Sequence, residues 1–370
     1  MASANVAHHV RLREVARFEP GGHQVRFDPE GGRVVLVKHR EFEAVPLAGA
    51  GLSGRQICTN DGPVLDVRFS PVQPWVAIQR SDLELEIRDA RTGFAARHAV
   101  RRGARPRSGR ILGFHWPGTS ACDLVIVTTW GVEFLAVQAQ PLACRVVKRL
   151  ALGVSWYLYA HAARLVLLAT GARDNVLHGV QVQPTQLARV PKFVVELPDD
   201  LDAGLPAPSQ PGAFRAPSPR RSLRRADVSV HCAYGQIFVA HADNPTQSVI
   251  LFQIFQDVVV RRHRLRAPAA RAAVSSVDSV LVVHSADARV AMLFDLQINA
   301  RDPVTAPLPV GPPARLAAAR AQFEPYGPGW AFEAPAFVVD ADGGMVGVLE
   351  LDLEALAASS INRPWLVRFL

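Results

Sequence analysis

The chain has 370 residues, of which 49% are hydrophobic and 20% charged, and its formal net charge is +8. This apolar fraction supports a packed core and excludes a wholly disordered chain. Four widely spaced cysteines without a C-x-x-C pair, and a start without an apolar signal core, indicate a soluble intracellular protein lacking a disulfide framework or zinc ribbon. Only three of the 41 basic residues are lysine, a skew typical of GC-rich coding, so the net charge is weak evidence for nucleic-acid binding.

Short apolar runs dominate the chain, either alternating with polar residues or rich in β-branched side chains, and Gly, Pro, Asp and Asn punctuate them. We predict about twenty strands from this pattern. They begin at residues 23–27, 34–37, 64–69, 75–79 and 83–89 and continue to residues 346–351. The one helical pattern, L-D-L-E-A-L-A-A, covers residues 351–358.

The stretch from residue 66 to residue 93 selects among the all-β architectures. It reads D-V-R-F-S-P, then W-V-A-I-Q-R, then L-E-I-R-D-A-R-T-G, which is degenerate WD-repeat punctuation around three strands. A propeller blade of four strands takes about 40–45 residues. The sequence therefore predicts an all-β, degenerate WD40-like β-propeller of six or seven blades with a short C-terminal helical turn.

Composition also predicts the boundaries of the domain. We expect a flexible N-terminus over residues 1–20, the propeller over residues 21–358 and a C-terminal tail over residues 359–370. Two interruptions are expected within the propeller. Residues 199–226 are rich in Pro, Ser and Arg and read as a disordered insertion, and residues 299–329 read as a long Pro/Ala-rich loop.

The insertion contains the one candidate contact site, the arginine cluster Arg220, Arg221, Arg224 and Arg225, with Ser218 just before it and Ser222 inside it. Such a cluster either contacts an anionic lipid surface, with serine phosphorylation opposing the contact, or is simply a solvated loop. Arginine-rich stretches at residues 97–110 and 261–266 allow the same two interpretations. Nucleic acid is disfavoured because no aromatic side chains are interleaved with these arginines.

Catalytic and metal-binding signatures are absent from the sequence. The histidines fall singly or at the terminus, without H-x-x-x-H or H-E-x-x-H spacing. There is no G-x-S-x-G elbow, no P-loop and no dinucleotide-binding glycine motif. We therefore expect no catalytic, cofactor-binding or metal-binding residues and no enzymatic activity. Aromatic residues concentrate between residues 111 and 159, where we expect them to pack between blades.

The middle of the chain resembles the family of the regulator of the Mon–Ccz complex, also called Mic or Bulli. The resemblance consists of short pieces in the family's order: I-L-G-F-H-W at 111–116, V-E-F at 132–134, V-S-W-Y-L-Y at 154–159, D-N-V-L at 174–177, P-K-F-V-V-E-L-P at 191–198, Y-G-Q-I at 234–237, V-D-S-V-L-V-V-H at 277–284 and F-D-L at 294–296.

This resemblance implies a function. The family is a non-catalytic subunit of a complex whose Mon and Ccz partners form the guanine-nucleotide exchange factor for the late-endosomal Rab GTPase, Rab seven. It supports endosome maturation, lysosomal trafficking and autophagy, which implies a cytoplasmic protein peripheral on late endosomes and lysosomes. The resemblance also implies an N-terminal propeller followed by a helical C-terminal domain. This chain ends near the end of the propeller, so we expect the helical domain to be absent.

Two other classes of function stay open from the sequence. A propeller enzyme or small-ligand binder would use the central channel and would gather polar or titratable side chains there, whereas a scaffold predicts a bland channel. An anionic-lipid-binding module would use the arginine clusters, and its binding would weaken steeply with salt.

Overall fold

The computed structural model describes residues 8–21, 24–38, 40–48, 56–59, 62–100, 109–197, 221–297, 301–313 and 325–359. Within them the chain forms seven antiparallel sheets, six of four strands and one of three, arranged as the blades of a β-propeller. The predicted all-β propeller is thereby confirmed, and its blades number seven.

The first three blades follow one another in the chain. Blade 1 contains β2 (Gln24–Asp28), β3 (Arg33–Val37), β4 (Glu41–Pro46) and β5 (Gln56–Thr59); blade 2 contains β6 (Asp66–Phe69), β7 (Trp75–Gln79), β8 (Glu84–Asp89) and β9 (Ala95–Ala99); blade 3 contains β10 (Ile111–His115), β11 (Leu124–Thr128), β12 (Gly131–Ala139) and β13 (Leu142–Ala151).

The next three continue the ring. Blade 4 contains β14 (Trp156–Ala160), β15 (Leu165–Thr170), β16 (Val176–Val182) and β17 (Leu187–Val194); blade 5 contains β18 (Val228–Ala233), β19 (Gln236–Asp243), β20 (Ser248–Ile254) and β21 (Val259–Arg266); blade 6 contains β22 (Ala272–Val277), β23 (Val280–Ser285) and β24 (Val290–Asp295). The first strands of blades 1 to 6 contact one another in order, and β22 contacts the first strand of blade 7, so these strands are the innermost.

Blade 7 joins the two ends of the described chain. β25 (Trp330–Glu333), β26 (Phe337–Asp340) and β27 (Met345–Leu351) supply its first three strands, and β1 (Val10–Arg17) pairs antiparallel with β27 as the fourth. This differs from the flexible segment expected over residues 1–20. Arg11 and Arg13 alternate with Val10 and Leu12, which are each 1% exposed and pack in the core.

Between every two neighbouring blades lies a separate apolar cluster, so the ring has seven cores rather than one. Between blades 1 and 2, for example, Val35 and Phe42 pack against Val67 and Ile78. β-branched and aromatic residues favour strands because they pack well on a pleated surface, which is why the short apolar runs of the sequence form these blades.

The first predicted interruption is shorter than expected, whereas the second lies between the last strand of blade 6 and the first strand of blade 7, with no strand or helix among its described residues. Residues 198–220 lie outside the described part, but residues 221–226 are folded, and Leu223 is buried in the cluster between blades 4 and 5. Residues 301–313 run beside the third strand of blade 6, where Leu308 and Ala291 form an antiparallel bridge. The remainder of the predicted loop, with the exception of residues 325–329, lies outside the described residues.

The predicted C-terminal helical turn is the helix α1, Leu353–Ser359. Its first turn is capped because the Asp352 carboxylate accepts a hydrogen bond from the Ala355 backbone N–H at 3.1 Å, and Leu356 is fully buried between blades 6 and 7. Residues 360–370 of the expected tail lie outside the described part. Among the helices that the structure describes, none has the length and apolar character needed to cross a membrane.

Candidate functional site

Polar side chains converge where the innermost strands of blades 1 to 4 end. Glu30, in the turn after β2, reaches blade 3: its Oε2 accepts a hydrogen bond from the Trp116 backbone N–H at 2.7 Å, and its Oε1 lies 2.9 Å from His115 Nδ1. The other ring nitrogen of His115 lies 3.0 Å from the Tyr157 hydroxyl, and the ring stacks on Tyr159 at 4.2 Å. We call this group the hub network.

Blade 2 is tied into the hub network by Arg68. Its Nη1 donates to the Phe27 carbonyl at 2.6 Å and lies 3.7 Å from Asp28 Oδ1, while the Arg68 carbonyl accepts from Trp116 Nε1 at 3.0 Å. Asp28 in turn accepts the backbone N–H of Phe69 at 2.8 Å. The network therefore joins the inner strands of three consecutive blades before it reaches blade 4.

The local sequence explains how two carboxylates come to face inward from one turn. The turn Asp28-Pro29-Glu30-Gly31-Gly32 follows a strand whose last two residues are buried. A Cβ on Gly31 would lie 2.5 Å from Asp28 Oδ2 and 2.8 Å from Phe69 Cβ, and Gly32 has a φ of 61°, a left-handed backbone conformation that favours glycine. The turn is therefore built to bring Asp28 and Glu30 against the neighbouring blades.

Burial governs the protonation of the hub network. It raises the pKa of Asp28 and of Glu30 above the ordinary carboxyl range, and the nearby Arg68 guanidinium opposes that rise. Burial also lowers the pKa of His115 well below its ordinary value and raises the pKa of Tyr157 to about 12. His115 and Tyr157 are therefore neutral at pH 7, whereas the two buried carboxyl groups keep their protons to a higher pH than exposed carboxyl groups do.

The hub network is the gathering of titratable side chains that the enzyme or ligand-binder alternative predicted, but the Glu30 carboxylate and the His115 imidazole are engaged internally. Arg68 Nε and the Tyr159 hydroxyl are buried without a hydrogen-bond partner among the described residues. Both carboxylate oxygens of Glu30 and both ring nitrogens of His115 have protein partners, and the Glu30 side chain is fully buried. Among the described residues no group of three or more His, Cys, Asp or Glu side chains is placed to hold a metal ion. What this arrangement does chemically is hold blades together.

Two further buried histidines, His231 on β18 and His284 on β23, bond to serine hydroxyls. His231 lies 2.7 Å from the Ser229 hydroxyl and 3.1 Å from that of Ser276, and His284 lies 3.2 Å from the Ser275 hydroxyl. Burial lowers the pKa of His231 to about 4 and that of His284 to about 3. Because both rings are buried in the neutral form, protonation opposes folding.

The predicted arginine cluster is divided by the structure. Arg220 lies outside the described residues. The guanidinium of Arg221 is 3.0 Å from Asp243 Oδ1, and that of Arg224 makes two hydrogen bonds of 2.9 Å to the carboxylate of Asp227. Both of these charges are therefore balanced by carboxylates of the same chain.

Hydrogen bonds of Arg225 and its neighbours attach residues 221–225 to blade 4. Arg225 Nε donates to the Tyr157 carbonyl at 3.2 Å, and the Leu223 carbonyl accepts from Trp156 Nε1 at 2.9 Å. Arg173 Nε donates to the Arg221 carbonyl at 3.0 Å. Residues 221–225 thus form a strap between blades 4 and 5, and the anionic-surface contact predicted for the cluster stays a prediction.

Sequence reasoning missed the hub network. It found the histidines singly placed and without metal-binding spacing, and it singled out no residue between 28 and 32. The available signal was two acidic residues in a glycine-rich turn immediately after a strand, together with a histidine ending a later strand. The concentrated aromatics between residues 111 and 159 do include interblade packing, since Trp116 is 1% exposed in the cluster between blades 2 and 3.

Replacing Glu30 tests whether the hub network joins the blades. Glu30→Ala leaves the Trp116 N–H and the His115 ring without their acceptor, and an unsatisfied buried polar group costs about 1–3 kcal/mol. We expect the free energy of unfolding in urea to fall by about 2–4 kcal/mol. Glu30→Gln keeps a carbonyl oxygen and is the matched control, expected to lose about 1 kcal/mol. Equal losses for the two variants would contradict a bonding role.

Replacing His284 tests the neutral buried histidine. With a folded-state pKa of about 3 against about 6.5 unfolded, its contribution is intact above pH 6.5 and is lost as pH falls below it. Between pH 7.5 and pH 5 the wild type should therefore lose about 2 kcal/mol more unfolding free energy than His284→Gln, whose amide still bonds Ser275 or Tyr326. Parallel stability curves for the two proteins would show that His284 does not titrate in this way.

Three comparisons with known proteins bear on the family. Residues 25–141 match the family model described as "Regulator of MON1-CCZ1 complex, N-terminal". The human regulator of MON1-CCZ1 complex is 25% identical over 291 residues, covering 72% of this chain and 42% of that protein. A Dictyostelium discoideum homolog is 24% identical over 170 residues, covering 46% of this chain and 17% of that protein.

Among solved structures, Kluyveromyces lactis Hsv2 superimposes with a TM-score of 0.49 at 12% identity, covering 90% of this chain and 98% of that one. The dihydro-heme d1 dehydrogenase NirN gives a TM-score of 0.47 at 12% identity, covering 79% of this chain and 56% of that one. The chain spans about two-fifths of the length of its human relative. The resemblance to the family of the regulator of the Mon–Ccz complex, in its N-terminal propeller region, is confirmed.

Proposed function

We propose that the chain is a non-catalytic regulatory propeller of a complex of the MON1–CCZ1 kind. The observation that carries the proposal is the similarity to proteins named regulator of MON1-CCZ1 complex over 72% of the chain, together with the family-model match at residues 25–141. The fold agrees with such a role, because a closed ring offers its faces and outer wall to partners.

The hub network supports a scaffold rather than a catalyst. Its carboxylates and imidazole bond to one another and to backbone groups, and a general acid or base must instead reach a substrate proton. In our proposal the partners perform nucleotide exchange on the late-endosomal Rab GTPase, and this chain contributes binding energy and orientation. Its place in the cell would then be the cytoplasmic face of late endosomes and lysosomes, in support of endosome maturation, lysosomal trafficking and autophagy.

Co-purification tests the proposal. The full chain, tagged and checked for folding by circular dichroism, is expressed with the MON1-type and CCZ1-type subunits of the same organism. We expect a stoichiometric complex on size-exclusion chromatography and nucleotide release from the Rab GTPase that requires the two partners. The chain alone should release no nucleotide. A folded chain that elutes apart from both subunits would contradict the proposal.

A further inference from the structure

The outermost strands of three consecutive blades carry an unusual charge pattern. β13, β17 and β21 have 10, 8 and 8 residues and include no Asp or Glu. Their exposed side chains include nine cations, and we call this surface the basic band. Its members are Arg145, Lys148, Arg149, Arg189, Lys192, Arg261, Arg262, Arg264 and Arg266.

Most of these charges are not balanced locally. Within the described residues, Arg149, Arg261 and Arg266 have carboxylate partners, and Arg264 bonds a serine hydroxyl. The other five cations have no carboxylate partner in that part of the chain. On the outer strand of blade 7, in contrast, each arginine pairs with a carboxylate: Arg11 with Asp352, Arg13 with Glu350 and Arg17 with Glu14.

Protection of sheet edges does not account for the basic band. A lysine or arginine on an edge strand discourages pairing with other chains. The outer strand of blade 1, Gln56–Thr59, has no basic residue at all. The cations are instead gathered on neighbouring blades, as they would be on a surface that attracts one partner of opposite charge.

Apolar side chains are exposed among the cations. Val147 on β13, Val194 on β17 and Val260 on β21 are 46%, 53% and 37% exposed, and Phe255 and Val258 at the β20–β21 turn are 43% and 49% exposed. A surface that mixes arginine with exposed aliphatic and aromatic groups is typical of a protein interface. The outer strands also have one backbone edge without a neighbour in their own sheet, which an extended peptide can approach.

The curvature of the ring favours a polypeptide over a flat surface. Each blade of a seven-bladed propeller turns the wall by about 51°, so the strands at the two ends of the basic band diverge by about 100°. A planar bilayer in contact with blade 4 would leave the cations of blades 3 and 5 turned away from it, whereas a flexible chain can follow all three strands.

We propose that the basic band binds an extended acidic segment of a partner protein, which lies along the outer wall of blades 3 to 5. Glutamate and aspartate of the segment would pair with the five cations that lack a carboxylate among the described residues, and its apolar residues would cover the exposed valines. The inference is independent of the proposed function, because it concerns the chemistry of the ligand and not the identity of the partner.

Fluorescence anisotropy with labelled poly-L-glutamate of about 20 residues tests the proposal on the full chain. We expect binding that weakens as NaCl rises from about 50 to about 300 mM, since salt screens exposed charges. The variant Lys148→Glu/Arg189→Glu/Arg262→Glu should bind at least about tenfold more weakly. A second variant with glutamine at the same three positions should lose less affinity for poly-L-glutamate. It removes the charges without reversing them, so it tests the proposal even where the first variant misfolds.

The matched control reverses three exposed arginines on blades 7, 1 and 2, Arg13→Glu/Arg40→Glu/Arg91→Glu, and changes the net charge by the same amount. We expect its affinity to stay within about twofold of the wild type. Equal weakening in both variants would show a response to net charge alone and overturn the proposal. Binding of the band to vesicles containing 30 mol% phosphatidylserine, without binding to poly-L-glutamate, would overturn it in favour of a membrane.

Discussion

The antiparallel pairing of β1 with β27 is the interaction on which the rest of the structure depends. A propeller has no central core that holds it together. Each blade buries its faces only against its two neighbours, so an open ring would expose two apolar faces. Here β1 is the fourth strand of blade 7, and its buried residues Val10 and Leu12 lie in the cluster between blades 6 and 7. Closure therefore places the first strand of the described chain in the same blade as its last three strands.

The hub network complements closure from the inside. Seven apolar clusters hold neighbouring blades, but Glu30 links blade 1 to blade 3, and Arg68 and Asp28 fasten blade 2 between them. These groups are engaged with each other in the buried interior. The surfaces left to meet other molecules are the faces and the outer wall, where the basic band lies. The fold thus has a polar interior that stabilises the ring and a charged outer wall that, in our proposal, binds an acidic partner segment.

Local pattern predicts much of this architecture because strands and turns are local features. The Ser-Pro and Asp-x-x-Thr-Gly punctuation around residues 66–93 identified blade 2, and the turn-punctuated strand runs identified a propeller. The local sequence pattern does not predict long-range contacts. The partner of β1 lies more than 300 residues away, and His115 lies 85 residues from Glu30. Nothing near either residue in the sequence marks it as one of a pair.

The arginines show the same limit. The sequence singled out Arg220–Arg225 because the residues cluster in the chain, yet Arg221 and Arg224 face carboxylates once the chain folds. Of the basic band, the sequence showed only the arginine-rich run at residues 261–266. The other parts lie far apart in the chain, and the fold brings β13, β17 and β21 onto consecutive blades.

Hydrogen exchange of the β1 backbone amides tests ring closure most directly. If β1 is the fourth strand of blade 7, the amides of Val10–Arg17 that face β27 exchange as slowly as those of β26 and open only with the whole domain. Exchange of these amides at the rate of an unprotected terminus, while β26 stays protected, would contradict the closed ring.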